Sequence, residues 1–122
     1  MLSHLSIWHY ALIDDLEIDF QNGLNFITGE TGSGKSIILG ALGLILGERA
    51  EKRVVMGGET KCIVEGSFLL DESKWKPVFQ SNDLDFDAQS ILRREVLESG
   101  KSRAFINDTP VNLKVLREFA LE

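Results

Sequence analysis

The sequence predicts a mixed α/β (α+β) fold, in which an antiparallel β-subdomain surrounds a strand–loop–helix unit. Residues 16–20 alternate apolar and acidic side chains, the period of a half-buried strand. Residues 29–36 form a glycine-rich segment that follows a short β-prone run, residues 24–28. Residues 37–46 are apolar enough for a buried helix. A strand, a glycine-rich turn and a helix in this order are typical of a phosphate-binding loop.

The chain before the loop predicts strands joined by tight turns. Residues 2–12 are expected to form a first strand, and residues 13–15 a turn. Residues 16–20 form the alternating strand described above. Asn22 and Gly23 are the strong dipeptide of a tight hairpin. An antiparallel pair of strands is therefore expected before the loop.

The loop itself fits the pattern G-x-x-x-x-G-K-[S/T] at every fixed position. Glycines permit unusual backbone angles and leave room for an anion, while N–H groups at the start of a helix favour negative charge. In this pattern the lysine reaches the β- and γ-phosphates and the last hydroxyl is a ligand of Mg²⁺. The predicted nucleotide-binding residues are Gly29, Glu30, Thr31, Gly32, Ser33, Gly34, Lys35 and Ser36, with Ser36 as the Mg²⁺ ligand. A chance glycine-rich turn is the alternative, and the flanking strand and helix disfavour it.

The helix that follows the loop in sequence is expected to end near Gly47, a residue suited to the left-handed position after a helix. The spacing of Gly40 and Gly43 predicts close packing of this helix on a sheet. Residues 61–70 read as a strand with Cys62 on its inner face, and Gly66 is expected to mark a bulge.

The C-terminal part predicts further short elements. Residues 73–81 form a short helix whose start Pro77 restricts. Residues 90–97 and 102–106 form a hairpin, followed by a tight turn at residues 107–108. Asn112 is a good cap for a last helix over residues 113–121, which buries an apolar face.

Composition narrows the function classes. A hydrophobic fraction of 43% in 122 residues is enough for a core and argues against disorder. A net charge of −6 argues against a generally basic nucleic-acid binder. Cys62 is the only cysteine, so no internal disulfide is expected, which fits a reducing cytoplasm. The N-terminus shows no signal-peptide pattern, and the longest apolar run, residues 37–46, is too short to span a bilayer.

Three segments carry a family resemblance. YALIDDLEIDF, at residues 10–20, and GLNFITGETGSGKSIILGALGLILGERA, at residues 23–50, resemble the start of the RecN family. These are bacterial DNA repair proteins in the SMC-like branch of the ABC ATPases. ILRREVLESGKSRAFINDTPVNLKVLRE, at residues 91–118, is also similar to that family. The resemblance covers nearly the whole chain.

The resemblance implies the N-terminal lobe of an ABC/SMC-type ATPase head over residues 1–122, as a fragment without the coiled coil and the C-terminal lobe. ATP and Mg²⁺ are the implied ligands, and DNA and a second head are the implied partners. The implied location is the bacterial cytoplasm, at the nucleoid, with no membrane association. The sequence has no Walker B run ending in Asp-Glu and no signature motif, so it is expected to contain no catalytic residue.

Other residues leave two readings open. In relatives, the strand edge at His9 and Tyr10 runs beside the adenine, which suggests contact with the nucleotide base, but a partly buried aromatic strand end is the favoured interpretation. Arg93 and Arg94 must point to opposite faces of their strand. One of them could join Lys101 and Arg103 in a patch that touches DNA phosphates, whereas a solvated hairpin face is the alternative.

Two rival functions also stand beside the repair ATPase. A small P-loop kinase usually places the loop directly after its first strand, and here about 28 residues precede it. A nucleotide-dependent dimerisation module would bind ATP without chemistry. Uncovered apolar surface would then favour a dimer or larger species.

Overall fold

The computed structural model describes residues 2–10, 13–19, 32–49, 55, 57 and 60–120. In this part of the chain, the strands and helices follow one another in the order β1 Leu2–Tyr10, β2 Ile13–Asp19, α1 Gly32–Ile45, β3 Lys61–Leu69, α2 Glu72–Ser81, β4 Gln89–Leu97, β5 Ser102–Ile106, β6 Thr109–Val111 and α3 Leu113–Ala120. The predicted strand over residues 24–28, the hairpin turn before it and the first residues of the loop lie outside the described residues.

The six strands form one sheet in the order β2-β1-β3-β4-β5-β6, and every neighbouring pair is antiparallel. Ile7 of β1 lies opposite Val64 of β3, and Val64 lies opposite Arg94 of β4. These side chains share the face that α1 covers. Ile7 and Val64 are fully buried there. Trp8 and Ile63, one residue along each strand, belong to the opposite face, which we call the open face.

Two local predictions about the first strands were wrong. Residues 13–15 were expected to form a turn, but Ile13 is already paired with Tyr10 at the start of β2. The hairpin is thus tighter than the acidic residues suggested. Gly66 was expected to mark a bulge, yet its pairing with β4 runs through without interruption. The irregularity between β1 and β3 lies at Leu2 and His4 instead.

The β5–β6 connection is a tight turn, as predicted, and it continues into a strand that the sequence did not reveal. Asn107 and Asp108 have φ angles of 50° and 69°. Two successive positive φ angles are the mark of a type I′ hairpin turn, which asparagine and aspartate tolerate. Ile106 then pairs with Thr109, so β6 forms as a short edge strand. A three-residue strand containing Pro110 gives no alternation to detect.

An aromatic cluster packs α2 and α3 together at the side of the sheet. Trp75 stacks on Phe119 with ring centroids 4.9 Å apart, and Phe79 meets Phe119 edge-on at 5.3 Å. Phe79 is fully buried. The predicted cap of α3 is confirmed, because the Asn112 side chain accepts a hydrogen bond of 3.2 Å from the N–H of Val115. α2 begins at Glu72 and contains Pro77 within it.

Candidate nucleotide-binding site

The candidate site begins where α1 begins. The structure places the start of α1 at Gly32, inside the predicted phosphate loop. The first four backbone N–H groups of an α-helix have no partner within the helix, and the helix dipole is positive there. The N–H groups of Gly32 to Lys35 are therefore available to an anion. Gly29, Glu30 and Thr31 and the side chains of Lys35 and Ser36 lie outside the described part of the chain.

The middle of α1 is held against the sheet by close contacts. Ala41 and Ile45 are fully buried in the core. Gly40 lies against the Tyr10 hydroxyl, and a side chain at that position would collide with it. A Cβ added at Gly66 of β3 would lie 2.6 Å from Cδ1 of Ile45. Close packing of the helix on the sheet, predicted from its glycines, is confirmed at Gly40. Gly43 instead faces the carboxylate of Glu48.

The C-terminal end of α1 is bonded to an arginine of β4. Arg94 Nη1 donates hydrogen bonds of 2.8 Å to the carbonyl oxygens of Leu44 and Glu48, and its Nη2 donates one of 3.0 Å to the Ser102 hydroxyl. Arg94 is fully buried. Burial, with a smaller contribution from Arg117, lowers the pKa of the Arg94 guanidinium. An arginine side chain nevertheless stays charged at neutral pH, and a cation at this end of a helix complements the dipole.

α3 provides a second bond to the same end. Arg117 Nε donates a hydrogen bond of 3.1 Å to the carbonyl oxygen of Gly47. Gly47 has a φ of 95°, so the predicted left-handed residue after the helix is confirmed. The end of the helix is thus fixed by β4 on one side and by α3 on the other.

The open face carries a mixed set of charges. Arg93 lies 3.2 Å from Glu65 and 2.7 Å from Glu95, while Arg103 lies 3.8 Å from the same Glu95. Glu95 is buried, with an exposed fraction of 5%. Arg93, rather than Arg94, therefore lies on the same face of the sheet as Arg103. The carboxylates offset its charge, and the arrangement supports an ion-paired hairpin face over a basic patch.

A cavity of about 390 Å³ opens on the same face near the end of β1. It is lined by Trp8, His9, Thr60, Lys61, Ile63, Glu65 and Arg93. His9 has a φ of 55°, a left-handed conformation that is uncommon outside glycine. This backbone turn lets Tyr10 enter the core beside α1 while Trp8 stays on the open face. The side chain of Tyr10 is 9% exposed, so it packs in the core, as the interpretation of a packed aromatic strand end predicted.

The family model described as an AAA domain matches residues 4–118. The chain belongs to this family.

Within the AAA domain family, the chain is similar to RecN proteins over nearly its whole length. It is 45% identical over 121 residues to "DNA repair protein RecN" of Vibrio cholerae, a match that covers 96% of this chain and 21% of that protein. It is 41% identical over 123 residues to the RecN of Bacillus subtilis, covering 97% of this chain and 21% of that protein. The RecN resemblance is confirmed. The chain spans about a fifth of the length of these relatives.

Solved structures with the same fold are ATPase heads. One chain, described as "Structural biochemistry of ATP-driven dimerization and DNA stimulated activation of SMC ATPases", matches with a TM-score of 0.76 at 18% identity and covers 98% of this chain and 77% of that one. The SMC head domain from Thermotoga maritima gives 0.65 at 21% identity, covering 97% and 41%. The predicted fold, the N-terminal lobe of an ABC/SMC-type head, is confirmed.

None of the helices in the described part of this AAA domain has the length and apolar character that a membrane span needs.

The buried groups beside α1 make the stability of the domain depend on pH. Burial raises the pKa of the Cys62 thiol to about 12, and burial and the neighbouring Cys62 raise the pKa of Tyr10. The folded state therefore keeps protons that the unfolded chain releases above about pH 9.

Stability is expected to fall as the pH rises from about 9 to about 12. The Cys62→Ala variant should lose stability less steeply over this range, although it is less stable at pH 7 because it leaves a small cavity. Urea unfolding at pH 8, 9.5 and 11, followed by circular dichroism, measures how the free energy of unfolding of each protein changes with pH. Parallel slopes for the two proteins would show that Cys62 does not titrate during unfolding.

Proposed function

We propose that this chain is the ATP-binding part of a RecN-like ATPase that acts in recombinational repair of DNA double-strand breaks. The observation that carries the proposal is the start of α1 at Gly32, inside the phosphate-loop pattern. With this start, the N–H groups of the first turn of α1 have no partner within the helix and point to the position where a phosphate would bind. The relatives described as DNA repair protein RecN give the cellular process.

Within this site, the residues of the loop have separate roles. The N–H groups of Gly32 to Lys35 hold the phosphates, and Gly29, Glu30 and Thr31 are the preceding positions of the phosphate-loop pattern. Lys35 neutralises the β- and γ-phosphates, and the Ser36 hydroxyl is a ligand of Mg²⁺. When bound, Mg²⁺ offsets negative charge that develops on the phosphate oxygens.

Hydrolysis requires groups beyond this sequence. Residues 1–122 contain neither a Walker B motif nor a signature motif. The chain is thus proposed to be the N-terminal lobe of a longer protein, with a coiled coil and a C-terminal lobe that supply those groups. The 122-residue chain alone is expected to bind nucleotide without steady turnover. The comparisons do not favour a small P-loop kinase.

Self-association through the head completes the proposal. One structural neighbour is described by its ATP-driven dimerization and DNA-stimulated activation. A nucleotide-dependent dimer of heads that contacts DNA, in the bacterial cytoplasm at the nucleoid, is the corresponding assembly for this protein. Light scattering with and without Mg·ATP measures whether the mass in solution rises to that of a dimer when nucleotide is present.

Calorimetric titration of Mg·ATP and Mg·ADP into the full-length protein tests the proposed function. Saturable binding of both nucleotides, weakened when Mg²⁺ is chelated, is the expected result. The 122-residue chain, titrated in parallel, shows whether this lobe holds the phosphate site by itself. Absence of binding to the full-length protein would refute an ATP-binding role.

A further inference from the structure

We infer that Arg94 is a positioning residue for the nucleotide site, acting from the far end of α1. This inference rests on the proposed function, because it assigns Arg94 to the helix whose first residues would hold the phosphates. Arg94 does not touch the nucleotide. It fixes the last turn of α1 to the centre of the sheet, and so sets where the first turn lies.

Arg94 differs in its burial from the other cations whose side chains the structure describes. The residue is fully buried, and its hydrogen bonds reach Leu44 and Glu48 at the end of α1 and Ser102 on β5. Its Nε is buried and has no hydrogen-bond partner among the described residues, a state that Arg93 Nε shares. A buried guanidinium with an unsatisfied N–H is costly for a domain to keep. What distinguishes Arg94 from Arg93 is its set of three hydrogen bonds, two of which go to carbonyl oxygens at the C-terminal end of α1.

These hydrogen bonds restrain the helix in a way that the apolar contacts do not. The contacts of Ile45 with Gly66 and of Gly40 with Tyr10 are short-range and steric, and they limit how closely α1 approaches the sheet. Directional bonds from Arg94 to two carbonyl oxygens also limit rotation of the helix about its axis and sliding along it. β4 is an interior strand between β3 and β5, so it is a rigid point of attachment.

The effect on the site is mechanical. α1 has 14 residues, which at 1.5 Å per residue makes a rod of about 21 Å. A phosphate at the other end of the helix therefore lies far beyond hydrogen-bond distance from Arg94. A packed helix of this length moves as one body. A shift of its last turn therefore moves the N–H groups of Gly32 to Lys35.

The experiment uses the full-length protein with the Arg94→Met and Arg94→Lys variants and the matched control Arg93→Met. Arg93 lies on the same strand but faces the open side, where it pairs with Glu65 and Glu95 and does not touch α1. We expect Arg94→Met to weaken Mg·ATP binding about 5- to 20-fold at a temperature where it remains folded. Arg94→Lys should recover part of that loss, and Arg93→Met should bind within about twofold of the unaltered protein, although it too is less stable.

Hydrogen exchange provides a readout that does not depend on how the variants fold. The N–H groups of Leu46, Gly47 and Glu48 bond to carbonyl oxygens in the last turns of α1. If the two ends of the helix are coupled, Mg·ATP must slow exchange at these three amides in the unaltered protein, because coupling between sites is reciprocal. We expect slowing of about threefold or more, and a smaller effect in Arg94→Lys.

The outcomes separate this inference from the proposed function. Failure of the unaltered protein to bind Mg·ATP would overturn both. If the unaltered protein binds Mg·ATP but Arg94→Met and Arg93→Met have equal affinities, the inference is overturned and the proposed function is not. If Arg94→Met does not fold, unchanged exchange at residues 46–48 on binding of Mg·ATP would overturn it as well.

Discussion

The Lys35→Ala variant of the full-length protein is expected to bind Mg·ATP roughly 10- to 100-fold more weakly than the unaltered protein. Lys35 occupies the lysine position of the phosphate-loop pattern, within the first turn of α1. A hydrogen bond to a charged group is worth about 1.5–3 kcal/mol, and each 1.4 kcal/mol is about tenfold in affinity. Turnover should fall further, by about 10²- to 10³-fold, because the lysine also stabilises charge that develops in the transition state.

Calorimetric titration and a phosphate-release assay measure the two effects. The matched control is Lys114→Ala, which removes the same charge from an exposed position on α3. It should leave affinity and turnover within about twofold. Equal affinities for Lys35→Ala and the unaltered protein would remove Lys35 from the site, even if Mg·ATP binds elsewhere.

The Gly47→Ala variant is expected to lower the free energy of unfolding by about 2–5 kcal/mol. Gly47 has a φ of 95°, and left-handed backbone costs an ordinary residue about 1–2 kcal/mol. A Cβ at this position would also lie 2.7 Å from Cγ of Arg117 and 3.0 Å from its backbone nitrogen. Overpacking of this kind adds about 1–3 kcal/mol, because the α3 backbone has to move.

Gly100→Ala separates the two contributions. Gly100 has a φ of 94°, nearly the same as that of Gly47, but no atom lies within 4 Å of its added Cβ. It should cost only the backbone strain, about 1–2 kcal/mol. Chemical denaturation of both variants and the unaltered protein gives the comparison. Equal losses would show that α3 does not press on the end of α1, and would also weaken the role given to Arg117 there.

Several features could be read directly from the sequence because each depends on residues close together in the chain. The phosphate-loop pattern predicted a helix directly after the loop, and α1 begins at Gly32, five residues before the predicted segment 37–46. Gly47 located the end of the helix. Asn112 marked the start of α3 because a cap bonds to an N–H three residues away. The family resemblance also came from contiguous segments. The Lys35 and Ser36 roles stay predictions, since they concern side chains outside the described residues.

The tertiary structure decided which of two neighbouring arginines is buried. Strand alternation requires Arg93 and Arg94 to face opposite sides, but it does not say which side a helix will cover. That choice depends on Leu44 and Glu48, which are 50 and 46 residues away from Arg94 in sequence. Strand alternation already places Glu95 on the same face as Arg93, and the tertiary structure decides that this face is the open one. Local pattern determined the C-terminal end of α1, the turn at residues 107–108 and the cap of α3. The packing of distant segments determined which charges anchor the helix and which remain at the surface.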